Sequence, residues 1–150
     1  MAVRTSTGPR AGIVARVIAG IAASLALVVG GPALAASATA PVTLGDGYVF
    51  DDAGVLSSSE VSQGDQRLGQ LRTDTGIGLW VVYVDEFTDP TDSEAWADTT
   101  AQSNGLNETQ YLLAIATDTR QLYLSYDSNG PLTGDQISTI VNDRVIPSLS

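Results

Sequence analysis

The 150-residue chain has no cysteine, no histidine and no lysine, so all seven of its basic residues are arginine. Without cysteine there is no disulfide framework, no thiol nucleophile and no zinc–thiolate site. Without histidine there is no Ser-His-Asp triad and no imidazole metal ligand. Without lysine there is neither a Walker-type phosphate loop nor a Schiff base. A metal site in this chain must be built from oxygen, which favours Ca2+ or Mg2+.

What the chain does contain is unevenly spread. Twelve of its 18 alanines precede Pro41, whereas all 17 acidic residues follow it, beginning at Asp46. Arg4, Arg10 and Arg16 make the amino end positive, and Val17 to Val29 is a 13-residue uncharged, mostly apolar run. Gly30-Gly31-Pro32 breaks that run, and Ala33-Leu34-Ala35 is an A-x-A cleavage pattern. This order of parts reads as a secretory signal peptide, with Ala36 as the first mature residue. A second A-x-A at Ala38-Thr39-Ala40 leaves the cut movable by a few residues. Thirteen helical residues reach roughly 20 Å, short of the roughly 30 Å hydrocarbon core, so an uncleaved anchor is the poorer reading. The expected plan is 1–35 signal peptide, 36–47 linker and 48–150 one folded domain, exported and extracytoplasmic.

The mature part carries four Arg against 17 acidic residues, a net charge of −13. Nucleic-acid binding rests on neutralising phosphates with basic side chains, so this composition disfavours it. An anionic membrane surface is disfavoured for the same reason.

The mature part alternates helix and strand signals. Tyr48-Val49-Phe50 is a short extended piece ended by Asp51-Asp52. Ser57 and Glu60 fit a capping box that opens a helix with Val61, Leu68 and Leu71 inward and Gly76 as its left-handed stop. Leu79 to Val84 is a run of β-formers without polar alternation, which suits a central strand covered on both faces. A second capping box, Thr91 with Glu94, opens a helix to about Ser103 with Trp96 inward. Tyr111 to Ala116 is a second buried-type strand, and Asp118-Thr119 is read as a two-residue turn into Gln121 to Tyr126. Thr133 and Gln136 cap a last helix with Ile137, Ile140, Val141 and Val145 as its apolar stripe, stopped by Pro147. The order β-α-β-α-β-β-α predicts a three-layer α/β/α sandwich around a mixed, mostly parallel sheet of about four strands.

Parallel strands place all their carboxyl ends on one edge, where open α/β sheets bind ligands. That topology sends Asp51, Asp52, Asp85, Glu86 and Asp118 to one rim, with Arg120 beside them. Crowded carboxylates repel and raise one another's pKa, a cost that a hard divalent cation removes. The metal candidates are therefore Asp51, Asp52, Asp85 and Asp118, with Ca2+ or Mg2+ as the ion. The acidic stretch from Asp85 to Glu94 fails the EF-hand pattern at Phe87 and Pro90 and reads as a solvated loop. Asp127 to Gly130 reads as a turn, and the serines at 57–59 cap a helix because no base accompanies them.

The segment Val49-Phe50-Asp51-Asp52-Ala53-Gly54-Val55-Leu56-Ser57 resembles the opening motif of the TPM domain family. Thr75-Gly76 with Leu79 to Val82, Asp118-Thr119-Arg120 with Leu122 to Tyr126, Gly130 to Thr133 with Asp135, and Ile140 to Pro147 resemble its later motifs, in order. The resemblance implies an α/β/α sandwich in an exported, often membrane-tethered protein. It further implies divalent-cation binding in some members and the weak acid phosphatase activity attributed to a plant member. By position it adds Asp135 to Asp51 and Asp118 as matching acidic residues, so that Asp135 joins Arg120 of the rim as a candidate for ligand contact. The lysine-free, alanine-rich composition resembles an actinobacterial member. The pattern departs at Tyr126-Asp127-Ser128, where the family has a Gly-Tyr-Gly-like end, and beyond Pro147, where it has a Gly-Asp-Tyr-like motif. The expectation is thus the amino-terminal part of a longer, membrane-associated envelope protein. It acts as a cation-binding interaction or assembly module with an envelope protein partner and touches the membrane only through a tail absent from this chain. A metal-assisted acid phosphatase is the alternative.

Overall fold

The structure, a computed structural model, describes residues 38–149, so the expected signal peptide and its cleavage site lie outside the described residues. Strand β1 (Ala38–Thr39) comes first, then β2 (Val49–Asp51), helix α1 (Ser58–Thr75), β3 (Gly78–Val84) and β4 (Glu86–Phe87). Helix α2 (Ser93–Ser103), β5 (Gln110–Ala116), β6 (Gln121–Ser125) and α3 (Gly134–Ile140) follow. A π-helical stretch (Val141–Val145) then leads into a last turn, α4 (Ile146–Ser148).

The main sheet has the order β2-β3-β5-β6. β2, β3 and β5 run parallel, with Asp51 opposite Tyr83 and Val84 opposite Ala116, and β6 returns antiparallel. Both central strands are buried on two faces, which is why their sequences lack polar alternation. Leu79, Val81, Tyr83, Tyr111, Leu113 and Ile115 face one core together with Leu68 and Leu71 of α1, Ile137 and Val145. Val82, Val84, Leu112, Ala114 and Ala116 face the other core with Phe87, Trp96 and Ala97. Helices thus cover both faces, giving the expected three-layer α/β mixed sheet.

Local chemistry sets the helix limits. Ser57 and Glu60 form the capping box of α1, and Gly76 ends it at φ 75°, a conformation that glycine adopts without the Cβ clash. The second helix departs from its expected start. Asp92, not Thr91, is its cap, accepting from the Ala95 N–H at 2.9 Å, because aspartate reaches the N3 amide as well as any hydroxyl. The expected two-residue turn at Asp118-Thr119 is also corrected: Ala116 pairs with Gln121, so residues 117–120 make a four-residue connection with Arg120 at φ 55°. Pro147 does not stop the last helix, because it falls in the first turn of α4, where its missing N–H costs nothing.

The stretch read as a linker is fastened from Ala38 onward. Ala38 and Thr39 pair in parallel with Glu86 and Phe87. The Thr39 carbonyl accepts from the Thr88 N–H at 3.0 Å and from the Trp96 indole N–H at 2.8 Å. Further along, the Asn104 side chain accepts from the Leu44 N–H and donates to the Val42 carbonyl, each at 2.8 Å, while Val42 and Leu44 pack on the second core. Residues 38–44 are therefore a strap across the α2 face of the domain. The strap also corrects the reading of Asp85 to Glu94 as a solvated loop: Phe87 is 1% exposed and lies 4.8 Å, ring centre to ring centre, from Trp96.

Candidate functional site at the carboxyl edge of the sheet

The parallel strands bring the predicted rim together at the level of the backbone. The Asp52 N–H donates to the Tyr83 carbonyl at 2.9 Å, and the Asp118 N–H donates to the Asp85 carbonyl at 3.0 Å. Asp52, Asp85 and Asp118 therefore stand on three successive strand ends. Asp52, Asp118 and Arg120 are exposed, whereas Asp51, Asp85 and Glu86 are half-buried.

The side chains on that rim have distinct employment. The Asp51 carboxylate accepts from the backbone N–H groups of Val55 (3.2 Å) and Leu56 (2.8 Å), so it closes the loop that leads into α1. The Asp52 carboxylate accepts from the Thr39 hydroxyl at 3.1 Å, which ties the strap to the rim. Asp135 sits elsewhere, exposed in the first turn of α3, where a negative charge suits the helix dipole. The nearby Leu132 N–H is held by the hydroxyl of Tyr111, near the start of β5 and thus towards the opposite end of the sheet. Among the described residues no three acidic side chains come together as metal ligands. A Ca2+ ion takes six to eight oxygens, so the described carboxylates do not by themselves form a closed cage for one.

Two features of the region escaped the sequence reading. Tyr83 lies opposite Asp51 with 0% exposure, and its buried hydroxyl has no hydrogen-bond partner among the described residues. Burial, and secondarily the Asp51 charge, push its phenol well above the usual range. The signal was the single hydroxyl-bearing residue in an otherwise apolar β run. The second feature links α2 to the edge strand: the Ser125 hydroxyl donates to Asp98, and Tyr123 is pushed up to about 12 by burial, by Glu94 and by Asp98. Glu94 and Asp98 are one helical turn apart, and Tyr123 and Ser125 alternate on β6, so both pairs could have been read as one face each.

With the geometry in view, comparison with known proteins is decisive about kinship. The TPM domain family model matches residues 49–150. The chain belongs to the TPM domain family. A UPF0603 protein of Mycobacterium tuberculosis (strain H37Rv) is 33% identical over 103 residues, covering 68% of this chain and 16% of that protein. The chain thus spans about one sixth of the length of the curated relatives it matches. The solution structure of the amino-terminal domain of a Corynebacterium glutamicum protein superposes with a TM-score of 0.59 at 19% identity, over 82% of this chain and 73% of that one. The amino-terminal domain of a P. gingivalis protein gives a TM-score of 0.57 at 26% identity, over 67% of each chain. The actinobacterial relatives agree with the composition of this TPM domain, and its strap lies outside the span that the family model matches.

Proposed function

We propose that this TPM domain is a binding and assembly module of the cell envelope. It is exported, membrane-associated in the full-length protein, and docks a cationic group of an envelope protein partner on the carboxyl edge of its sheet. The observation that supports this most directly is the row of Asp52, Asp85 and Asp118 on adjacent strand ends, held there by backbone hydrogen bonds, with the exposed Arg120 two residues beyond Asp118. A rim of that sign steers and holds positive charge. Ca2+ or Mg2+ belongs to this reading as a weakly held ion whose remaining ligands come from water or the partner. The alternative of a metal-assisted acid phosphatase draws on less, because a phosphate dianion at this rim meets carboxylates and one Arg, and Asp51 is already engaged by two amides.

The test is a Ca2+ and Mg2+ titration followed by amide chemical shifts. Saturable shifts are expected at residues 51–52, 85–86 and 118–120, and Asp118→Asn should remove most of them. Asp92→Asn is the control, since asparagine caps a helix about as well as aspartate. Identical titrations of Asp118→Asn and the unmodified protein would overturn the rim as the binding face.

A further inference from the structure

A second recess lies at the opposite, amino edge of the sheet. It is a mostly polar cleft of about 210 Å³, lined by Leu44 and Gly45 at the end of the strap, Trp80 of β3, the Asn104–Leu106 segment and Gln110. In a mature part with a net charge of −13, none of these residues is ionisable. The lining itself therefore suits a neutral ligand, since it carries no charged side chain; the Arg72 guanidinium touches the Trp80 ring but is not part of the lining.

One wall is aromatic. Trp80 is the one residue of β3 that is not fully buried. Its ring is held by Tyr48 at 5.1 Å and by the Arg72 guanidinium at 5.9 Å. Gly78 makes room for it: a Cβ there would lie 2.7 Å from the Trp80 ring and 2.8 Å from an Arg72 nitrogen. Another wall carries hydrogen-bonding capacity. The Gln110 side-chain oxygen accepts from the Asn107 N–H at 2.9 Å, which fixes the amide and leaves its two N–H donors without a partner among the described residues. The Asn104 amide is fully used, on Val42 and Leu44 of the strap and on the Thr100 carbonyl of its own helix, and shapes the cleft.

We propose that this cleft binds a neutral sugar ring of an envelope glycan. A pyranose presents an apolar C–H face to an aromatic wall and a periphery of hydroxyls to planar amides and main-chain groups, and such a combination of one aromatic anchor with a few placed polar groups is how small sites gain orientation. The volume fits one ring, and the open side lets the chain continue beyond it. The strap supplies Leu44 and leads into Gly45, so this wall of the cleft exists only where the strap is docked. The cleft lies across the sheet from the carboxylate rim and shares no lining residue with it.

Amide shifts of the 15N-labelled protein titrated with chitotetraose and with cellotetraose test the assignment, with tetragalacturonate as the charged control. The expected result is saturable shifts from the neutral tetrasaccharides at Leu44, Gly45, Gly105, Leu106, the Gln110 side-chain amide and the Trp80 indole N–H. The Trp96 indole, 0% exposed and bonded to the strap, should stay in place and reports the fold. Trp80→Phe should weaken binding about fivefold, the size of one aromatic contact. Gln110→Leu should weaken it while leaving the Trp80 stack intact, and decides the matter if Trp80→Phe disturbs the fold. Asp118→Asn should leave it unchanged, so failure here is distinct from failure at the rim. Absence of saturable shifts with either neutral tetrasaccharide, equal binding of the charged one, or unaltered affinity in Gln110→Leu would each overturn the proposal.

Discussion

Asp51 offers a sharp separation between a structural carboxylate and a rim ligand. Asp51→Ala deletes the acceptor of two backbone N–H groups, at 2.8 and 3.2 Å. A hydrogen bond to a charged group contributes about 1.5–3 kcal/mol, but the longer of the two is weak and both donors are only partly buried, so the expected loss is about 2–3 kcal/mol. The 112 described residues set the scale for temperature. At about 2.1 cal/mol/K per residue the unfolding entropy is near 0.24 kcal/mol/K, and Tm should fall by about 8–12 °C. Asp51→Asn keeps a carbonyl acceptor and should cost about 1 kcal/mol, or about 4 °C. The same Ala variant should lower the Tyr83 phenol pKa while leaving it above the usual range, because burial is its larger cause. Differential scanning calorimetry reads the first effect and tyrosinate absorbance the second. If Asp51 were chiefly a crowded rim carboxylate, its removal in metal-free buffer would raise Tm. A Tm for Asp51→Ala at or above that of the unmodified protein would refute the loop-closing role.

The alkaline limb of stability should carry the mark of Tyr123. Its folded-state pKa of about 12 exceeds the ordinary phenol value of about 10, so the folded state favours the neutral form. That contribution is complete below pH 10 and is lost as pH rises towards 12. Tyr123→Phe should therefore flatten part of the fall in urea midpoint between pH 10 and 12, with the remainder due to Tyr83; an unchanged slope would contradict this. The strap makes a separate prediction. A chain starting at Asp46 loses the burial of Val42 and Leu44 and the bonds to Thr88, Trp96 and Asn104, a cost of about 3–5 kcal/mol. Urea midpoints compared with a chain starting at Ala36 should show it, accompanied by a red shift of Trp96 emission, and matching midpoints would show the strap to be dispensable.

Much of the architecture was legible because it follows from short-range rules. The capping boxes at Ser57 and Thr133 and the apolar runs Leu79–Val84 and Tyr111–Ala116 locate two helices and both central strands. What could not be read depends on contacts far apart in sequence. Ala38-Thr39 has no strand signal of its own and becomes a strand because Glu86 and Phe87 lie beside it. Phe87 looks stranded among carboxylates until Trp96 supplies its partner. Similarly, the rim was legible as an edge, since parallel strands must end together, but not as a set of ligands. Whether Asp51 points at an ion or at the amides of Val55 and Leu56 is a matter of loop geometry that no periodicity records.

The strap also dictates an order of events. Its hydrogen-bond partners Trp96 and Asn104 lie 57 to 62 residues downstream. A chain delivered amino end first, whether from a ribosome or through a translocation pore, presents residues 38–44 long before anything exists to hold them. The apolar side chains of Val42 and Leu44 wait in the open, and closure of so long a loop is slow compared with local helix formation. The strap is thus the earliest part of the domain to emerge, and its docking is not complete until Asn104 has followed.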